Sequence, residues 1–288
     1  MKITIAKSAG FCFGVKRALA IAFKSAASGR KVYMLGDIVH NEVVVGKMKA
    51  AGIRRIKAPL KGRGADRTLL IRAHGAKRDT VTNARRAGYH IIDATCPMVK
   101  EIHAIAKRLE RDKRTVIIIG DKEHDEVRGI VGQLKKKPII ISSLPDAARK
   151  TLRNVTKAGI VVQSTQEEAK VLRIVSALKK RIRDLVFKNT ICDPTRTKQM
   201  EARTLPVKND VVIVVGSKSS ANTKRLYQIS RSINRRTYWV NSPDALRPEW
   251  FREAAKVGVT AGASTPESSI ISAAEAIRAL KRGACSIN

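Results

Sequence analysis

Aromatic side chains are scarce in this 288-residue chain, where Phe, Trp and Tyr make up 4% of the residues. The core must therefore be built from Val, Ile, Leu and Ala. Base-stacking strands of the RNA-binding type would have few rings to work with. Acidic residues are also few, 24 against 58 Lys and Arg, which leaves a formal net charge of +34. That balance excludes an acidic, halophile-type surface and favours polyanionic partners: nucleic acid, anionic lipid, phosphorylated metabolites or acidic proteins. It selects none of them, because the charge is dispersed and a block such as Lys135-Lys136-Lys137 is as long as any. Long apolar runs are missing. No stretch approaches the roughly 20 apolar residues of a membrane span. The charge-broken opening Met1-Lys2-Ile3-Thr4-Ile5-Ala6-Lys7 offers no signal-peptide core. The expected location is the cytoplasm. Cysteine is limited to Cys12, Cys96, Cys192 and Cys285, too few for a disulfide scaffold at this length. In a reducing compartment such thiols are core filler, metal ligands or catalysts.

What is present is a globular composition, 43% hydrophobic and 28% charged, with enough chain for a sizeable core. Short β-branched runs recur at Lys2–Ala6, Lys31–Leu35, Thr68–Arg72, Tyr89–Ile92, Thr115–Ile119, Pro138–Ile141, Gly159–Val162, Asp210–Val215, Thr237–Val240 and Val257–Thr260. They are continuous rather than alternating, which suits strands covered on both faces of a parallel sheet. Helical patterns such as Val99–Glu110, Glu167–Lys180, Asn222–Ile233 and Ser268–Leu280 lie between them, and this alternation predicts an α/β fold. Three cysteines divide the chain almost evenly, 84 residues from Cys12 to Cys96 and 96 from Cys96 to Cys192. Each precedes a predicted helix start, and Pro97 makes Cys96 a candidate N-cap. The expected architecture is three pseudo-repeated α/β units: 12–95, 96–191 and 192–280. The strand 1–11 and the tail 281–288 are expected on the third unit.

A helix N-terminus favours a thiolate. Three such thiols without a fourth suit a 4Fe–4S cluster with one open iron site. Zinc spacings such as C-x₂-C are absent. The competing use of each cysteine is structural burial, and Cys285 reads as a bystander. Polar loops follow the predicted strands, where α/β proteins bind ligands. These are Gly36–Asn41 with His40, Arg72–Gly75 with His74, Gly120–Glu126 with His124 and Glu126, Gln163–Gln166 with Thr165, Gly216–Asn222 with Ser220 and Asn222, and Thr260–Glu267 with Ser264. The serine-rich loops open helices and suit a phosphate or diphosphate, or else ordinary N-capping. His40 and His74 either donate to phosphate oxygens or pack their loops. His124-Asp125-Glu126 is either a solvated acidic loop or a proton source beside a cluster.

At these residues the sequence resembles the 4-hydroxy-3-methylbut-2-enyl diphosphate reductases, the LytB or IspH family. The resemblance rests on Ala9–Val15, Val39–Asn41, Arg72–Gly75, Asp93–Pro97, Gly120–Glu126, Asn189–Cys192, Val215–Asn222 and Thr260–Pro266, in order along nearly the whole chain. It implies three α/β domains around a central 4Fe–4S cluster held by Cys12, Cys96 and Cys192, with the substrate's allylic hydroxyl on the free iron. It implies that Glu126 supplies a proton and that His124 and Thr165 hold the hydroxyl end. His40, His74, Ser220, Asn222 and Ser264 would hold the diphosphate. The implied products are isopentenyl and dimethylallyl diphosphates, and the implied electron donor is a ferredoxin or flavodoxin. Ala221 stands where many members carry a second serine, and Asp193-Pro194 after the third cysteine is unusual. The rival expectation is a basic nucleic-acid-binding protein with a structural iron–sulfur cluster. The charge favours it and also predicts weak RNA association, but no recognition motif accompanies the charge.

Overall fold

The computed structural model describes residues 1–60, 64–148 and 150–285. In chain order the strands are β1 (Lys2–Ile5), β2 (Lys31–Leu35), β3 (Arg54–Ile56), β4 (Arg67–Ile71), β5 (His90–Asp93), β6 (Thr115–Ile119), β7 (Ile139–Ile141), β8 (Lys157–Val162), β9 (Asp184–Phe187), β10 (Val211–Val215), β11 (Thr237–Val240) and β12 (Lys256–Ala261). The α-helices are α1 (Phe13–Ala26), α2 (Glu42–Ala50), α3 (Arg78–Arg86), α4 (Pro97–Arg111), α5 (Asp125–Val131), α6 (Glu168–Lys179), α7 (Asp193–Lys208), α8 (Ala221–Ile233) and α9 (Glu267–Cys285).

The strands form three four-stranded parallel sheets, ordered β3-β2-β4-β5, β7-β6-β8-β9 and β11-β10-β12-β1. The three orders are one topology used three times. In the last sheet the N-terminal strand β1 occupies the place that β5 and β9 fill in the others, with Lys2 beside Lys256 and Ile5 beside Val259. A circular shift of the chain thus gives each sheet the same fourth strand, and each of Cys12, Cys96 and Cys192 follows such a strand. Two compact units result. One contains residues 1–15, 40–44 and 193 onward, and the other contains 16–39 and 45–192.

Both faces of the sheets are covered, which explains the unbroken apolar runs. On β10, Val211, Ile213 and Val215 pack with Ile270, Ala273 and Ile277 of α9. Val212 and Val214 face the other way, toward Ala202 and Leu205 of α7 and Leu226 and Ile229 of α8. On β6, Ile117 and Ile119 meet Val171, Ile174 and Leu178 of α6. Val116 and Ile118 meet Ile102, Ala106 and Leu109 of α4 with Val127 and Ile130 of α5. Each buried Val or Ile contributes roughly 1.5–3 kcal/mol, so the aliphatic core needs no aromatic reinforcement.

Two edge strands escape the sequence pattern. β3 is Arg54-Arg55-Ile56 and β9 is Asp184-Leu185-Val186-Phe187. The expected tail is in part helical, since α9 continues to Cys285. Residues 286–288 of that expectation lie outside the described residues. None of the described helices is long and apolar enough to cross a membrane.

Candidate active site

Polar side chains gather at the carboxyl ends of the strands, beside the switch in strand order between β2 and β4, β6 and β8, and β10 and β12. One hydrogen bond recurs in all three sheets. The Cys12 N–H donates to Ala263 O at 3.4 Å, the Cys96 N–H to Ala73 O at 3.0 Å, and the Cys192 N–H to Ser164 O at 3.2 Å. The accepting residue immediately precedes Ser264, His74 or Thr165. Each cysteine is therefore tied to one loop of its own unit that carries a predicted site residue. Each also stands directly before a helix: α1, α4 and α7. Cys96 is the N-cap of α4, with φ −57° and ψ 135°, and Pro97 follows at the first helical position. None of these three cysteines is in a disulfide. Soft thiol donors standing directly before helices fit an iron–sulfur group.

In the unit that contains β10 and β12, Ser220 caps α8 and accepts the Thr223 N–H at 3.3 Å. Ser264 Oγ lies 3.3 Å from Ser220 Oγ and donates to His40 O at 3.2 Å. The structure thus brings Ser220, Ser264 and the His40 segment together. Asn222 follows in the first turn of α8, 6% exposed. Neither its amide oxygen nor its nitrogen has a partner among the described residues. Leaving such atoms buried costs about 1–3 kcal/mol each, which makes this amide a candidate ligand contact. Two glycines allow the loops to close on α8. Gly216 has φ +148°, and a Cβ there would stand 2.7 Å from Thr265 Oγ1. A Cβ on Gly262 would stand 2.0 Å from Thr223 Oγ1. Ser217 donates to Glu42 Oε1 at 2.6 Å, a contact the sequence did not announce. Lys218 is occupied elsewhere. Its Nζ donates to Trp239 O at 2.7 Å and lies 4.2 Å from the ring centroid, and burial lowers its pKa.

The other unit holds the remaining predicted residues. His124 is the N-cap of α5, and its Nδ1 accepts the Glu126 N–H at 3.2 Å, which leaves Nε2 to carry the proton of a neutral ring. The His74 and His124 rings meet edge-on with centroids 5.5 Å apart. Glu126 is 1% exposed. Its two oxygens are held by Ser164, from N–H at 2.6 Å and from Oγ at 2.8 Å. Thr165 Oγ1 accepts from Gln163 Nε2 at 3.0 Å. Arg72, which lies over Gly36, pairs with Asp125 at 2.6 Å at the start of α5. Behind the His74 turn, Gly75 adopts φ +78° against His103 of α4. Burial, reinforced by Lys107, lowers the His103 pKa to about 4, so this imidazole is neutral at pH 7. Ser164, Arg72, Asp125 and His103 are thus supports that the sequence reading did not single out. Ser164, Arg72 and Asp125 had a visible signal, their places in the polar loops Gln163–Gln166, Arg72–Gly75 and Gly120–Glu126, whereas His103 had none.

Comparison with known proteins adds a second line of observation. The model of a family described as LytB protein matches residues 3–278. The 4-hydroxy-3-methylbut-2-enyl diphosphate reductase of Geotalea uraniireducens is 40% identical over 267 residues, 93% of each chain. That of Aquifex aeolicus is 38% identical over 269 residues, 92% of each chain. Among solved structures, the Plasmodium falciparum E-1-hydroxy-2-methyl-but-2-enyl-4-diphosphate reductase superposes with a TM-score of 0.87 at 28% identity, covering 94% of this chain and 86% of that one. A structure described as (E)-4-hydroxy-3-methyl-but-2-enyl diphosphate reductase, the terminal enzyme of the non-mevalonate pathway, gives 0.71 at 37% identity, covering 97% and 100%.

Proposed function

This chain belongs to the LytB family, and from that membership we propose that it reduces 4-hydroxy-3-methylbut-2-enyl diphosphate to isopentenyl and dimethylallyl diphosphates. Two electrons and two protons enter, the carbon–oxygen bond to the allylic hydroxyl breaks, and water leaves. The observation that carries this reading is the near full-length kinship with named reductases, since the matched span contains every polar loop described above.

Cys12, Cys96 and Cys192 are the ligands we assign to one 4Fe–4S cluster. Bound there, it would supply the two electrons and Lewis acidity toward the substrate's hydroxyl. The protein's own residues do the rest. Ser220, Asn222 and Ser264, with His40 and His74, hold the diphosphate. The unsatisfied Asn222 amide and the N-terminus of α8 supply donors fixed in direction. Fixed donors orient an anion better than a flexible ammonium, and Lys218 is already engaged by Trp239. Glu126 donates the proton, because hydroxide is a poor leaving group. Ser164 fixes both its oxygens, while His124 and Thr165 hold the hydroxyl end. The donor we assign is an acidic ferredoxin or flavodoxin, and the compartment the cytoplasm.

The test is anaerobic turnover of the substrate by cluster-loaded protein with dithionite and methyl viologen, the products being resolved by mass spectrometry. Both five-carbon diphosphates are expected. A loaded protein that leaves the substrate unchanged would overturn the reading.

A further inference from the structure

Two charged side chains of α7 are committed to one short piece of backbone. Lys198 is 2% exposed, among the largest fully buried side chains of the protein. Its ammonium donates to the carbonyls of Ser8 and of Gly10, the second at 2.8 Å. Glu201 lies three residues further on, hence on the same helix face. Its Oε2 accepts the Ser8 N–H at 3.0 Å and the Ser8 hydroxyl at 2.5 Å. The segment Ser8-Ala9-Gly10 ends two residues before Cys12. It is irregular backbone, so its polar groups find no partners in a helix or sheet ladder and need partners from elsewhere. Gly10 has φ +93°, and a Cβ there would stand 3.0 Å from Ile270 Cδ1. The segment is therefore confined on the α9 side as well.

Burying an ammonium is costly unless its protons are well placed. An apolar side chain would fill the same space without that cost. What an apolar chain cannot do is fix two carbonyl directions just before a thiol. We propose that Lys198 and Glu201 form a clamp that positions the Cys12 thiol, and that retention of the iron–sulfur group is set in part from α7. This rests on the reading of Cys12 as a ligand of that group. The helix bearing the clamp begins at Asp193, directly after Cys192, so its first turn is also covalently continuous with a second assigned ligand. Side chains that orient ligands without touching the metal commonly change affinity about 10–100-fold when removed.

The experiment compares wild type, Lys198→Met, Lys198→Arg and Ser8→Ala, full-length throughout. Anaerobically loaded proteins are mixed with a ferrous chelator and iron release is timed. Metal-free proteins are alkylated with iodoacetamide, and modification of Cys12, Cys96 and Cys192 is followed separately by peptide mass spectrometry. Lys198→Met should release iron about 10–100-fold faster. It should change the alkylation rate of Cys12 while Cys96 and Cys192 keep theirs. Lys198→Arg, which retains donors, should recover most of both properties. Ser8→Ala, which removes one hydrogen bond, should shift them the same way by less. An unchanged Cys12 rate in Lys198→Met would overturn the clamp. So would a parallel rise at all three cysteines, the mark of general loosening. If wild type takes up no cluster, the functional reading fails, while the alkylation rates still decide the clamp.

Discussion

Glu126 and His103 are both buried and titratable, and the structure treats them in opposite ways. Glu126 is held at both oxygens by Ser164, which fixes the direction its carboxyl group faces. Glu126→Gln keeps shape and polarity but has no acidic proton. Cluster content and substrate binding should survive, and turnover should fall about 10²–10⁴-fold. Single-turnover kinetics under anaerobic conditions would check this, and a loss of only a few-fold would move the proton source elsewhere. His103 has no partner for Nε2 among the described residues, and its pKa is lowered to about 4. The unfolded chain therefore binds this proton more readily than the folded one. Stability is fully present above about pH 6.5 and declines as pH falls toward 4. His103→Gln should flatten that part of the pH–stability curve measured by urea unfolding. An unchanged slope between pH 6.5 and 4 would show that other groups set it. At this scale the sequence was readable as residue types after strands. It could not reveal that Glu126 is gripped from 38 positions away, or that Lys198 reaches back 190. Such pairs are made only when separate strand ends meet.

Elements were more legible, because burial on both sheet faces writes an unbroken apolar run. β6 and β10 are such runs. β3 and β9 were invisible for the complementary reason. β3 is a short edge strand with two arginines, and β9 is an edge strand whose three apolar residues follow an acid. Edge position alone does not hide a strand, since β1, β5, β7 and β11 are edges with readable runs; β3 and β9 are short and carry only one and three apolar residues. The cysteine positions before helices were readable from Pro97 and from the spacing. The place of β1 in the last sheet is a long-range pairing, and the hydrophobic pattern of Lys2–Ile5 does not encode it. The meeting of loops and helix at α8 gives a prediction of its own. Gly262→Ala would drive a methyl group into Thr223 Oγ1. We expect a loss of about 1–3 kcal/mol and a higher KM for the diphosphate, since Asn222 precedes Thr223. Thr223→Ala in the same chain should restore part of both. Thermal unfolding and steady-state kinetics of the single and double variants would test the coupling, and strictly additive losses would refute it.

For the whole molecule, the net charge of +34 far exceeds what one diphosphate needs. On the proposed reading the diphosphate meets neutral donors of the α8 cradle, so little of that charge serves the substrate. The surplus is then available for encounters with partners. An acidic donor protein would be steered by it, and exposed charges are screened over about 8 Å at physiological salt. Reduction of the loaded protein by an acidic ferredoxin should slow steeply from low to moderate ionic strength. Reduction by a small artificial donor should change little, because it needs no docking surface. The same surface should retain RNA weakly, with a salt slope that counts its phosphate contacts. Stopped-flow reduction with both donors across one salt series separates the two roles of charge. A steep dependence for the protein donor alone assigns the basic surface to electron delivery. A flat dependence for both removes steering and leaves polyanion binding as the remaining physical consequence of the charge.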